Sequence, residues 1–433
     1  MSEQRRTSKL HELLRFYFPL AVTWMLMMFT HTIISSGLAR TVDPTVSTAA
    51  YAVALSLGAI FEAPSVMLRQ TGMALISSRQ SYQVVRRVAG ITLLACMAIV
   101  LAIGYVPALG RFVFQDILGV TDELLAATIT AFRVTMLLPI ASTLRCFYHS
   151  LIMLNRRTTY ISIGMFIRVG FMIVLIYCFS TYRWVVGPLV GAIAIVGGIF
   201  IEGVNAYWFG RKLVPEGETT ITPRTAWSFY TPLIASSLFV AMGKPFINGG
   251  LARMPNAAVA LAAFNVASSF AWVLISTSQN VHQVTMVFGR DPLDRPLVKK
   301  FAATVGIVST AALLAVSLSP LGRWLLTNLI QVPDELIEPS LWGIRTFALF
   351  PPVICWLEYN TGLLLLTQAS RLVSLGKTVN LLATIAFVLT LAPLVPGAIA
   401  APLAQLIGFA SEGLVLQFGL SLQRHRLMQR SHY

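Results

Sequence analysis

Apolar residues gather along the chain in long runs separated by short polar stretches. A helix needs roughly 20 such residues to cross about 30 Å of hydrocarbon. Twelve runs meet that length, near 13–38, 46–68, 88–109, 125–150, 158–180, 186–208, 228–252, 258–280, 301–325, 340–366, 372–393 and 397–419. The pattern predicts an all-α polytopic membrane protein of about twelve transmembrane helices.

The runs repeat. RFYFPLAVTWMLMMFTHTIISSGLAR at 15–40 superimposes without a gap on SFYTPLIASSLFVAMGKPFINGGLAR at 228–253, an offset of 213. AAYAVALS at 49–56 returns as AAFNVASS at 262–269, and DILGVTDELL at 116–125 as NLIQVPDELI at 328–337. Arg133 and Pro139 pair with Arg345 and Pro351, and Glu202-Gly203 with Glu412-Gly413. Six spans separate the copies, an even number, so both enter the membrane in the same sense. They are expected to be two six-helix lobes related by a pseudo-two-fold axis along the membrane normal. The polar linker RKLVPEGETTITPRTAW (211–227) is the expected boundary, giving lobes 1–210 and 228–433.

Composition agrees with the bilayer assignment: 56% of residues are hydrophobic and 11% charged, with a mean hydropathy of +0.74. The 32 Lys+Arg against 17 Asp+Glu change the picture only through their placement. Alternating the loops puts Arg5, Arg6, Lys9, Arg86, Arg156, Lys212, Lys299, Lys377 and most other bases on one side, and only Arg40, Arg111, Arg183, Arg253 and Arg323 on the other. By the positive-inside rule both termini are expected in the cytoplasm. The basic excess therefore orients the chain, and no nucleic-acid partner is expected. MSEQRRTSKLHELLRF shows no removable signal, so an integral plasma-membrane location is expected. Cys96, Cys146, Cys178 and Cys355 lie in separate spans without metal or redox spacing. No metal or cofactor is expected.

Charges within the spans narrow the candidates. One charge at mid-bilayer costs on the order of 3 kcal/mol on insertion scales, so it should face a partner or a wet cavity. Lys244, Arg133 and Arg345, with Arg168 and His31, are the candidate substrate-facing bases. Glu358 in CWLEYNTG is the leading candidate for ion coupling or gating, with Glu62, Arg69, Glu202 and Glu412. A protonated, lipid-shielded Glu358 is the competing reading, and Glu202 and Glu412 fit helix packing as well as transport. Glu62 and Arg69, seven apart, share a helix face and could join one ion-pair network. Arg145 and His149 read as interfacial residues able to snorkel to water. Pro245, Pro139 and Pro351 mark expected helix breaks. Bases outnumber acids here, which favours a small anionic substrate. No P-loop and no nucleophile elbow occurs, so no enzymatic activity is expected.

At SFYTPLIASSLFVAMGKPFINGGLAR, RTFALFPPVICWLEYNTGLLLLTQ and PGAIAAPLAQLIGFASEG the chain resembles the progressive ankylosis protein family, within the superfamily of MATE exporters and polysaccharide and lipid flippases. Ile344, Arg345, Phe350 and Pro351 are similar to that family's tenth helix, and Lys244-Pro245 to an Arg-Pro in its seventh. The resemblance implies a V-shaped pair of six-helix lobes working by alternating access. It further implies efflux of anions of the citrate, nucleotide or pyrophosphate class; separately, a monomer is expected. A lipid or headgroup flippase, and a proton- or sodium-coupled multidrug exporter, stay open as alternatives.

Overall fold

The structure is a computed structural model describing the backbone of residues 3–185, 187–251, 257–329, 333–391 and 394–430. Side chains are described in all of these except 3–6, 239, 241–251, 257–258, 261, 329, 397 and 423–430. The first half contains α1 (Glu3–Leu38), α2 (Pro44–Leu75), α3 (Arg79–Tyr105), α4 (Pro107–Arg111), α5 (Asp122–Thr135), α6 (Leu138–Leu154), α7 (Thr159–Tyr182) and α8 (Leu189–Gly210). The second contains α9 (Pro223–Leu251), α10 (Ala257–Ser278), α11 (Val281–Phe288), α12 (Arg295–Leu318), α13 (Pro320–Trp324), α14 (Asp334–Phe347), α15 (Phe350–Leu366), α16 (Ser370–Leu391) and α17 (Gly397–Arg430).

Ten spans among the described residues are long and apolar enough to cross a membrane, and α9 and α10 occupy the positions of the other two predicted ones. In a bilayer only helices and closed barrels satisfy their own backbone polar groups, which accounts for the near absence of other structure. The chain is an integral membrane protein.

The duplication holds element by element. α2 covers 44–75, and α10 with α11 covers 257–288, both ends shifted by 213. Even the π-helical turn Phe112–Ile117 has its counterpart at Leu325–Leu329. Proline sets the breaks. Pro139 lies in the first turn of α6 and Pro351 in that of α15, and each lacks the N–H that would continue the hydrogen-bond ladder from the preceding helix. The spans 122–154 and 334–366 are consequently each built from two helices.

Two compact units emerge, and their boundaries are not at the linker where the sequence placed them. One comprises Met1–Tyr17 with Ala235–Tyr433, the other Phe18–Ile234. The reason is local packing. Phe16 and Tyr17 make edge-on ring contacts with Phe288 and Phe301, and Lys9 forms an ion pair with Asp294, all within the first unit. Tyr230, in the first half of α9, donates its hydroxyl to the carbonyl of Pro64 at 2.7 Å in the second. The linker also belongs there: Gln80 exchanges two hydrogen bonds with the backbone of Ile221, and Asn155 Nδ2 donates to Leu213 O at 2.9 Å.

A candidate anion cavity in the N-terminal lobe

The unit Phe18–Ile234 encloses a cavity of about 180 Å³ among α1, α2, α6, α7 and α8. Its apolar wall includes Leu20, Met27, Val66 and Met165, and its polar wall is Glu62, Arg69, Arg145, His149, Arg168 and Glu202. Three guanidinium groups thus meet two carboxylates. α8 brings Glu202 in at a close approach, because a Cβ on neighbouring Gly203 would lie 3.1 Å from the carbonyl oxygen of Ala141 on α6. Gly413, beside Glu412, is closed off in the same way by the Trp356 ring.

The acids are spoken for. Glu202 Oε2 accepts from Arg168 Nη1 at 3.0 Å and from Arg145 Nη1 at 3.3 Å, and its other oxygen lies 3.9 Å from His149 Nε2. Glu62 accepts from the Ser142 hydroxyl and from Arg145 Nη2 at 3.4 Å. The partner of Glu62 is therefore Arg145 on another helix, and not Arg69 seven residues along its own. Arg145 and His149 are 7% and 3% exposed, so they are cavity residues and not the snorkelling interfacial pair that sequence spacing suggested.

Arg69 is left over. Its guanidinium sits 5.9 Å from the centre of the Trp24 ring, and no carboxylate among the described residues pairs with it. The buried Nε atoms of Arg69, Arg145 and Arg168 and Nε2 of His149 have no hydrogen-bond partner among the described residues. Arginine carries donors and no acceptor, so what this wall lacks is acceptor oxygens. Buried donors at this density need water or an anion to satisfy them.

The repeat shows how the surplus arises. At the offset of 213 Arg69 corresponds to His282, and at 212 Cys146 corresponds to Glu358. In the C-terminal copy His282 Nδ1 lies 2.8 Å from Glu358 Oε2 and 2.7 Å from Gln279 O, so the imidazole has a carboxylate beside it. In the N-terminal copy a cysteine stands where the acid would be, and the guanidinium keeps an open charge. Glu412 is held by Lys377 Nζ at 2.7 Å and Asn380 Nδ2 at 2.7 Å. Lys377, which the charge tally placed in a cytoplasmic loop, is inside α16 and reaches back to this acid.

The other candidates lie elsewhere. Arg133 is exposed, donates from Nε to Gly104 O at 3.0 Å and covers the Tyr105 ring at 5.0 Å. Arg345 repeats the arrangement, donating to Ser317 O at 3.2 Å and covering Trp342 at 4.6 Å. Arg133 thus caps the carbonyl end of α3 and Arg345 that of α12, where a cation complements the helix dipole. Neither lines the cavity. His31 is exposed on α1 and is also outside it. Lys244 and Pro245 fall within α9, whose backbone stays helical from Pro223 to Leu251, so the break expected at Pro245 is not made there; their side chains lie outside the described residues.

Residues 1–193 match the family model of the progressive ankylosis protein (ANKH). The family resemblance read from the sequence is thus found independently, and over the first half. Across nearly the whole chain the fold is that of MATE and MOP-superfamily transporters. A MATE structure in the straight conformation aligns with a TM-score of 0.74 at 14% identity, covering 96% of both chains. A variant of the Vibrio cholerae MATE transporter VcmN aligns at 0.71 and 14%, over 97% of this chain and 98% of that one. A MOP-superfamily transporter from Pyrococcus furiosus, whose binding pocket is described as having reversed polarity, aligns at 0.68 and 14%, over 95% of both. No curated protein matches.

Proposed function

We propose that the chain is a secondary membrane transporter that moves a small organic or phosphate-bearing anion out of the cytoplasm by alternating access, with Arg69 as its primary anion contact. The observation that carries this reading is the Arg69 guanidinium without a carboxylate on a wall with three unsatisfied arginine Nε donors. The free Nε atoms of Arg145 and Arg168 are the further donors for the anion's oxygens, joined by His149 Nε2 in the tautomer that protonates it. Glu202 and Glu62 fix Arg145 and Arg168 in place, so the anion meets a cradle that is already organised.

The fold supports the transporter class, and the charge balance of the cavity supports the anion. The reversed pocket polarity of the Pyrococcus furiosus transporter, which suggests a different function for that protein, is a precedent for varied pocket charge within this fold. We place ion coupling at Glu358, a buried carboxylate 2.8 Å from His282 Nδ1.

The test is efflux of labelled citrate, ATP or pyrophosphate from proteoliposomes under an inside-negative potential. Wild type is expected to release at least one of them saturably. Arg69→Ala, still monodisperse by size-exclusion, is expected to lose that release. Retention of all three anions by wild type would overturn the reading.

A further inference from the structure

The C-terminal copy holds a second cavity that the transport reading does not use. It measures about 220 Å³ and is walled by α12, α15 and α17 through Lys299, Trp356, Tyr359, Asn360, Gln417 and Ser421. Trp356 Nε1 donates to Gln417 Oε1 at 2.9 Å, and Asn360 Nδ2 lies 3.5 Å from the same oxygen. Asn360 is 4% exposed, whereas Lys299, Gln417 and Ser421 are exposed.

Its position gives it meaning. Lys299 is in the first turns of the α12 span, and Gln417 and Ser421 are in the last turns of the span Ala398–Leu422. All three belong to the membrane end that carries the basic loops. The cavity runs from that interface along α15 to Trp356, in the first half of that helix. Lys299, Gln417 and Ser421 open the groove at that end, and the buried Asn360 with Trp356 carries its polar lining further along α15, which suits a polar occupant entering from the interface. No acid lines the groove, and Lys299 has no ion pair among the described residues.

The other copy isolates the difference. Asn360 corresponds to Tyr148 at offset 212, and Gln417 to Tyr207 at offset 210. In the N-terminal lobe Tyr148 and Tyr207 make an edge-on contact with centroids 5.0 Å apart. Lys299 corresponds to Arg86, which is folded over the Tyr82 ring at 5.7 Å. Where one lobe fills this position with aromatic rings and occupies its cation, the other keeps two amides, an indole N–H and an open lysine.

We infer that this groove binds the phosphate-bearing headgroup of an anionic phospholipid, with Lys299 on the phosphate and Gln417, Asn360 and Ser421 on the glycerol and ester oxygens. Basic pockets between transmembrane helices at the cytoplasmic face are suited to such headgroups. The site is separate from the proposed transport cavity and stands whatever that cavity carries.

The test uses the full chain in detergent, titrated with phosphatidylglycerol or phosphatidylcholine and read by native mass spectrometry, with soluble glycerol phosphate as a competitor. One phosphatidylglycerol per chain is expected to bind in preference to phosphatidylcholine. Lys299→Gln is expected to weaken it about fivefold, the equivalent of about 1 kcal/mol for one interfacial cation. The double variant Asn360→Tyr/Gln417→Tyr, which imports the packing of the other lobe, is expected to close the groove and abolish the bound lipid. Equal binding of both lipids, or unchanged binding in both variants, would overturn the proposal. Displacement by glycerol phosphate at concentrations comparable to the lipid would also overturn it, by making this a free-anion site.

Discussion

Arg69 and Glu202 define opposite kinds of residue in one cavity. Arg69 has no carboxylate to lose, only its contact with the Trp24 ring, so Arg69→Ala should leave the fold intact while removing a charge-assisted contact worth about 1.5–3 kcal/mol, or about ten- to a hundredfold in anion affinity. Concentration dependence of efflux from proteoliposomes checks this, and an unchanged half-saturation would exclude Arg69 from the site. Glu202 binds Arg145 and Arg168 at 3.3 and 3.0 Å, and Glu202→Gln would leave two buried guanidinium groups without their shared counter-charge. Breaking a buried pair costs about 3–5 kcal/mol, so this variant should unfold at clearly lower temperature in detergent. A melting curve superimposable on wild type would show that the network relaxes onto water. Neither role could be read from spacing along one helix. Glu62 and Arg69 share a face of α2, yet the partner of Glu62 is 83 positions away on α6. Covalent spacing reports neighbours within a helix, and the cavity is made between helices.

Elements were more legible than contacts, because a bilayer imposes a length on every span and duplication imposes it twice. The twelve predicted spans all correspond to helices, and the two proline breaks fall at equivalent points. What a hydropathy window misreads is the end of a span: α16 begins at Ser370, so Lys377 is well inside it although it was counted with a loop. The repeat itself supplies two experiments at this scale. Cys146→Glu would give Arg69 the acid that His282 already has in Glu358, and should suppress anion efflux about as strongly as Arg69→Ala while preserving folding. Full efflux from that variant would mean that Arg69 does not meet the anion. Conversely, Glu358→Gln leaves His282 without a carboxylate and removes the group assigned to carry a proton. Stimulation of efflux by a transmembrane pH gradient should disappear in it, while voltage-driven efflux persists. Stimulation that survives the substitution would move coupling away from this pair.

For the molecule as a whole, the decisive quantity is the charge moved per cycle. An inside-negative potential of 100 mV contributes about 2.3 kcal/mol for each negative charge that leaves, so a multivalent anion needs no other driving force to be exported. The cavity is consistent with such a cycle, because its acids are committed to Arg145, Arg168 and Ser142 and its open group is a cation. If the anion leaves alone, efflux from proteoliposomes should be electrogenic. Its rate should rise with imposed inside-negative voltage, and it should stop when a potassium ionophore clamps the potential at zero with no anion gradient. Accumulation should then scale with the valence of the anion, more steeply for a tri- or tetravalent species than for a divalent one. Voltage-independent efflux would instead require that protons leave with the anion and balance its charge. In that case Glu358→Gln should abolish transport outright and not merely its response to pH, and the two lobes would divide the work between an anion site at Arg69 and a proton site at Glu358.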